Sequence, residues 1–384
     1  MQVTAREPDS GQTLALTIGG GAITSVEAVE RAATLWLAPA LIDIQVNGYA
    51  GFDFNAPEPT AETAANAIVA LRSAGVGLCC PTVTTGGFEG IACSLRAIVG
   101  ACEQDAAIAH AVAGIHLEGP YISPLDGPRG AHPLAHVRPP EWDEFQRWQE
   151  AARGMIRMVT LAPELPGALA MIERLTDRGI IVALGHHAAT TAQLDAAVRA
   201  GAKLCTHLGN GAHAQLPRHP NYIWDQLGDD RLAAGFILDG HHLPPAVARC
   251  MLRAKGLSRS LLVSDAMFLA GLPPTRNEFM GLDVELTAER RVNLVGTPYL
   301  AGSALALAEG VGNAVRFAGI TLAEALTMAT ATPATMLGVG AAWGSVAAGR
   351  AADLLLFSWD AEEQVVRPAA LLALGKVVWG ELPV

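Results

Sequence analysis

Short, almost uninterrupted apolar runs recur along this chain, and most of them close on a polar or charged residue. Residues 35–46 contain Asp43 and Gln45 and are followed at once by Asn47; residues 76–85 come next; residues 110–119 end around Glu118, and residues 158–164 at Glu164. Residues 180–184 lead into Gly185-His186-His187, residues 203–206 into His207, residues 231–238 into Asp239 and the pair His241-His242, and residues 261–264 into Asp265. A run that is apolar at every position suits a strand buried on both faces, the setting of a parallel sheet covered by helices. Helix-compatible segments stand between most of the runs, near 60–74 and 90–104 among them. Eight such strands alternating with helices predict an α/β chain built as a (β/α)8 barrel of the TIM type. An open doubly wound sheet is the other architecture, but it would carry a glycine-rich dinucleotide turn after its first strand, and no G-x-G-x-x-G stands there.

Outside this series the pattern changes. Residues 1–36 alternate short β-like stretches with turn residues such as Gly19-Gly20-Gly21, and residues 340–384 return to short strands with glycine turns. Head and tail are expected to pair into a small β-sandwich domain beside a barrel spanning 37–339. Residues 290–307 read as a hairpin entering a helix, with helices continuing to about Met336. In a parallel barrel the loops at the carboxyl ends of the strands converge over the core, so His186 and His207, at the ends of successive strands, are placed like metal ligands. Taken singly, each could equally be a packed histidine.

Composition narrows the class. The chain has 384 residues, 51% hydrophobic and only 5% aromatic, so its core is built from small and branched aliphatic side chains. A net charge of −11 with no basic run argues against nucleic acid or an anionic membrane as partner, and any anionic substrate must be met by a local cation. The six cysteines form no C-x-x-C pair, which fits a reducing cytoplasm. The amino-terminal stretch has no signal pattern, and no apolar run reaches the roughly 18 residues of a membrane helix, so a soluble protein is expected.

The segments LAPALIDIQVNG, GIHLEGPYISPLDGPRGAHP, VTLAPE, LGHHAATTAQL, CTHLGNG, DGHHL, LVSDA, LAGSAL and the terminal pattern from Gly344 to Asp353 follow one another over nearly the whole chain. In order and spacing they resemble the amidohydrolase superfamily and, within it, the N-acetylglucosamine-6-phosphate deacetylase family. The resemblance implies metal-dependent hydrolysis of the N-acetyl group of an amino sugar, with N-acetylglucosamine 6-phosphate as the substrate. It implies one divalent metal per subunit, zinc foremost, with Fe2+, Mn2+ or Co2+ as other occupants, held by Glu118, His186 and His207. Three N or O ligands with an open position suit a catalytic zinc. Asp265 matches the general base, His242 the group that polarises the scissile carbonyl, and His132 a contact to a sugar hydroxyl; Asn210, Gly211, Arg218 and His242 complete the substrate set. His187 and His241 have no match.

Many amidohydrolases bind a second metal through His-x-His after the first strand; Gln45 and Asn47 stand there, poor ligands for a transition metal. Family members with this replacement work with one metal. The family also implies a homodimer in which the arginine matching Arg218 reaches the neighbouring subunit's phosphate site. Arg218 is the only family-matched cation, and its usual Glu-Pro-Gly sequel is His219-Pro220-Asn221 here. Two other readings are a deacetylase of a different or unphosphorylated N-acyl sugar, or another C–N hydrolase of the superfamily, and a non-catalytic sugar-binding homologue. A dihydroorotase-like site would want a lysine at the end of the fourth strand, where VTLAPE has none, and a non-catalytic chain would be expected to lose a ligand or the base.

Overall fold

The computed structural model describes residues 1–279, 282–297 and 300–382. Eight strands stand in chain order in one sheet: Leu41–Val46, Val76–Thr84, Ile115–Glu118, Ile156–Leu161, Ile181–Leu184, Leu204–Cys205, Ala233–Phe236 and Ser260–Leu262. Every neighbouring pair is parallel. The sheet closes on itself where the Asp265 N–H donates to the Gln45 carbonyl at 2.9 Å and the Asn47 N–H to the Ala266 carbonyl at 2.8 Å. The Asp43 carboxylate stitches the same seam, accepting from the N–H of Ser264 at 3.2 Å and of Gln45 at 3.3 Å. The barrel read from the apolar runs is therefore present, and all six residues of its first strand are buried, Asp43 and Gln45 included.

The crossovers explain how distant residues meet. Helix Ala61–Leu71 opens at Thr60, whose hydroxyl accepts from the Thr63 N–H, and it buries Ala64, Ala67, Ile68 and Leu71 on one face. Helix Thr191–Arg199 starts with a reciprocal capping box between Thr190 and Gln193 and returns the chain from the fifth strand to the sixth. Pairing of Ala183 with Leu204 and of Leu184 with Cys205 then delivers His186 and His207 to the same rim. Gly185 permits that approach, because a Cβ there would stand 2.7 Å from Thr206 Cβ.

Head and tail share one seven-stranded sheet, in the order Lys376–Gly380, Val365–Ala373, Leu354–Asp360, Trp36–Pro39, Gln2–Arg6, Thr13–Gly19 and Ala22–Ala28. The first apolar run is thus divided: Trp36–Pro39 pairs antiparallel with Leu354–Asp360, while Leu41–Val46 enters the barrel. The small sheet therefore reaches past residue 36, and it has its own apolar core of Val3, Leu16, Ile23, Leu37, Leu354, Leu356 and Leu372.

Between the eighth barrel strand and helix Leu307–Ala318 lies a four-stranded antiparallel sheet, Thr275–Phe279, Leu282–Leu286, Arg291–Leu294 and Leu300–Ser303. The hairpin expected over 290–307 is its second half; Pro298 and Tyr299 lie outside the described residues. Ser303 bridges Ala266, and its carbonyl accepts from the Met267 N–H at 3.0 Å, so this insertion is anchored beside Asp265.

Candidate active site

Glu118, His186 and His207 converge at the carboxyl ends of the third, fifth and sixth barrel strands, all buried. His207 Nε2 lies 3.0 Å from Glu118 Oε1 and 3.0 Å from His186 Nε2, and His186 Nε2 lies 3.3 Å from Glu118 Oε1. Ligands about 2.0–2.2 Å from a tetrahedral zinc stand roughly 3.3–3.5 Å from one another, so this triangle is close to one face of such a site. His186 Nδ1 is 2.9 Å from the Pro128 carbonyl oxygen, which can only accept; in the neutral imidazole the proton therefore sits on Nδ1 and the Nε2 lone pair is left for an ion. The residues fit a divalent metal. Burial alone would push the Glu118 carboxyl up, but the hydrogen bonds and charges of His186 and His207 outweigh it and hold it well below the usual range. Burial disfavours charge on His207 as well, yet Glu118 raises its pKa overall.

The two amides at the end of the first strand are spent on carboxylates. Gln45 Nε2 donates to Glu118 Oε1 at 2.9 Å, and Asn47 Nδ2 donates to Asp265 Oδ1 at 2.8 Å. Burial, and after it the charge of Glu118, pushes the Asp265 carboxyl up to about 6. His242 is set by Asp239, whose Oδ2 lies 2.6 Å from Nδ1 while its Oδ1 accepts the N–H groups of His241 and His242, each at 2.8 Å. His132 packs edge-on against His186 at 4.4 Å between centroids, and its Nδ1 lies 2.8 Å from Thr85 Oγ1. Burial, then the neighbouring His186, depresses its pKa to about 3 and keeps it neutral.

Glu118, His186, His207, Asn47, Asp265, His242 and His132 line one cavity of about 410 Å³, together with Asn210, Gly211, His241, Met267, Phe279 and Arg291. Every residue expected in the site is brought there except Arg218, which is exposed and does not line the cavity of its own chain. His187 is buried outside it against Tyr222, at 5.1 Å between ring centroids. Sequence reasoning named Asp239 only as a strand end; its place three residues before His242 was the available signal for an orienting carboxylate. It missed Arg291 and Phe279, because no local pattern, the legible hairpin over 290–307 included, places that insertion over the barrel mouth.

The sequence pattern described as the amidohydrolase family matches residues 36–378. The chain belongs to this family. A relative named N-acetylgalactosamine-6-phosphate deacetylase, from Escherichia coli O157:H7, is 36% identical over 348 residues, 88% of this chain and 89% of that one. A human relative named N-acetylglucosamine-6-phosphate deacetylase is 35% identical over 359 residues, 89% of this chain and 83% of its own. Among solved structures, that of N-acetyl-D-glucosamine-6-phosphate deacetylase from Mycobacterium smegmatis superposes with a TM-score of 0.86 at 30% identity, covering 99% of this amidohydrolase and 100% of that chain. A point mutant of the mycobacterial enzyme, in complex with N-acetyl-D-glucosamine-6-phosphate, gives 0.85 at 30% identity over 98% and 99% of the two chains. Among the described residues of this amidohydrolase, no helix is long and apolar enough to cross a membrane.

Proposed function

We propose that this amidohydrolase hydrolyses the N-acetyl group of an amino sugar 6-phosphate, N-acetylglucosamine 6-phosphate first and its galacto epimer second, releasing acetate and the free amine. The observation that carries the reading is one buried carboxylate and two imidazoles within 3.0–3.3 Å of one another, sharing a cavity with a buried Asp265. The relatives' names support the substrate class and divide on the epimer.

Glu118, His186 and His207 would hold one divalent ion per subunit, zinc in our reading. When bound at such an open three-ligand site, the ion supplies Lewis acidity and brings the ionisation of a water toward neutral pH. A single ion is supported by Gln45 and Asn47, which turn amide N–H groups toward carboxylates instead of offering ligands. Asp265 accepts a proton from the attacking water and passes it to the amine nitrogen as the C–N bond breaks; a carboxyl pushed up to about 6 is a stronger base than an ordinary one. His242, its Nδ1 N–H committed to the Asp239 carboxylate, would donate from Nε2 toward the acyl oxygen in its doubly protonated form, as negative charge develops there. His132 has its Nε2 for a sugar hydroxyl, and Asn210 and Gly211 shape the wall beside it. A role for Arg218 requires a second copy of the chain, in keeping with a homodimer. The six free thiols accord with a cytoplasmic location, which belongs to the same proposal.

The test is acetate release from N-acetylglucosamine and N-acetylgalactosamine, each with and without a 6-phosphate, alongside metal analysis. We expect turnover of a 6-phosphate with about one ion per chain. Absence of acetate from all four sugars would overturn the function, and two ions both needed for turnover would overturn the single-metal site.

A further inference from the structure

We propose that Glu164 is a positioning residue for the metal centre: its carboxylate grips the backbone two residues beyond His186 and holds that ligand in the bent conformation that aims its imidazole at Glu118 and His207. This rests on the metal-site reading above. Glu164 stands just past the fourth barrel strand, half-buried, yet it lines no part of the active-site cavity and takes no step in the proposed reaction. Its Oε1 instead accepts the N–H of Ala188 at 2.6 Å. A backbone N–H bound to an ionised carboxylate makes a shorter and stronger hydrogen bond than a neutral pair. Burial pushes the Glu164 carboxyl above its ordinary value, and the Ala188 N–H is the first of the contacts that pull it back.

The turn that Glu164 grips needs such a hold. The fifth strand ends at Leu184 and the next helix begins at Thr191, so His186, His187 and Ala188 lie outside any ladder. His186 has φ 53°, which a side chain bearing a Cβ adopts only under constraint. The fold closes on the turn from both ends. The Ala162 N–H donates to the Tyr121 carbonyl at 2.8 Å, which brings the loop after the third strand beside the end of the fourth. On that loop Ser123 donates its N–H to the His186 carbonyl at 2.8 Å, and Glu164 takes the N–H of Ala188 from the other side. His187, between them, is buried with its ring against Tyr222, and its Nδ1 accepts the Ala189 N–H at 3.3 Å. Pro128 sets which way the His186 ring faces; Glu164 and Ser123 set where its backbone stands. Metal–ligand distances tolerate only about 0.2 Å, so a small relaxation of this turn is enough to take Nε2 off the ligand triangle.

The experiment compares wild type, Glu164→Gln, Glu164→Asp and Glu164→Ala, with melting temperature as the folding control. Three quantities are read: Zn2+ affinity against a competing chelator, the visible absorption of the Co2+ form, which reports ligand geometry, and kcat and KM on N-acetylglucosamine 6-phosphate at saturating metal. We expect Glu164→Ala, and Glu164→Asp with its carboxylate one methylene short of Ala188, to weaken Zn2+ binding roughly 10- to 100-fold and to alter the Co2+ spectrum. Both should lower kcat and leave KM within about twofold, since Glu164 does not touch the cavity. Glu164→Gln keeps an oxygen that can accept the Ala188 N–H, and it should recover most of the affinity and the wild-type spectrum. Wild-type affinity and spectrum in a folded Glu164→Ala would overturn the inference, as would a glutamine variant no better than alanine. If Glu164→Ala does not fold, Glu164→Asp decides by the same two readouts. Should wild type bind Co2+ but release no acetate, the deacetylase reading fails alone, and the metal measurements still decide the role of Glu164. Should wild type take up neither ion, the inference falls with the metal site.

Discussion

His186, His207 and Asp265 all hold positive φ, at 53°, 25° and 47°, a region in which a non-glycine residue costs about 1–3 kcal/mol. The strand ends are bent there so that side chains turn over the barrel mouth, and neighbours must hold them in place. Gly211 is one such neighbour: at φ +55°, a Cβ on it would lie 2.6 Å from His186 Nδ1 and 2.9 Å from its Cε1. Gly211→Ala should push the imidazole off the Pro128 carbonyl and weaken metal binding by roughly 10- to 100-fold while the barrel still folds. Competition with a chromogenic chelator would measure this, and wild-type retention of metal would show that the ring has room to yield. At this scale the sequence was informative for the ligands, because Glu118, His186, His207 and Asp265 each follow an apolar run. It was silent on which atoms meet. That Gln45 serves Glu118 and Asn47 serves Asp265 depends on register across the closing seam, which no local pattern encodes.

The seam between the first and eighth strands is also where the barrel pays most for a polar group. Asp43 is fully buried, its Oδ1 accepts the N–H of Ser264 from across the seam and that of Gln45 from its own strand, and its Oδ2 has no hydrogen-bond partner among the described residues. Burial, only partly offset by these hydrogen bonds, pushes its carboxyl up from 3.8 to about 7. Below the unfolded value both states keep the proton. Between it and about 7 the folded state alone keeps it, so this contribution to stability is lost as pH rises through that window. Asp43→Asn retains an acceptor oxygen without titrating. Its stability relative to wild type should therefore improve between pH 5 and pH 8 by something on the order of 2 kcal/mol. Urea unfolding at both values would check it, and a pH-independent difference would place the cost elsewhere. The eight core strands were legible because burial on both faces makes them apolar throughout. The strands Thr275–Phe279 and Leu282–Leu286 were not, since the first buries none of its side chains and the second only Val284 and Leu286, and they owe their pairing to each other.

On the scale of the whole chain, catalytic and supporting parts are separate in space but interleaved in sequence. Trp36–Pro39 lies between Gln2–Arg6 and Leu354–Asp360 in the small sheet, immediately before the first barrel strand. A chain ending at Arg350 would contain every residue assigned to the site, yet it would lack Leu354, Leu356 and Leu372 of the second core. Each buried leucine contributes about 1.5–3 kcal/mol, so the truncated protein should accumulate in the insoluble fraction and hold no metal. Soluble, metal-loaded material would mean that the barrel needs no such brace. A ribosome making this protein completes all of the metal ligands before it has made the strand that covers Trp36–Pro39. Throughout the synthesis of the barrel, the nascent chain therefore carries an open β-edge that another nascent copy could capture, and its yield in a crowded cell depends on how well that edge is sheltered until the last strands emerge.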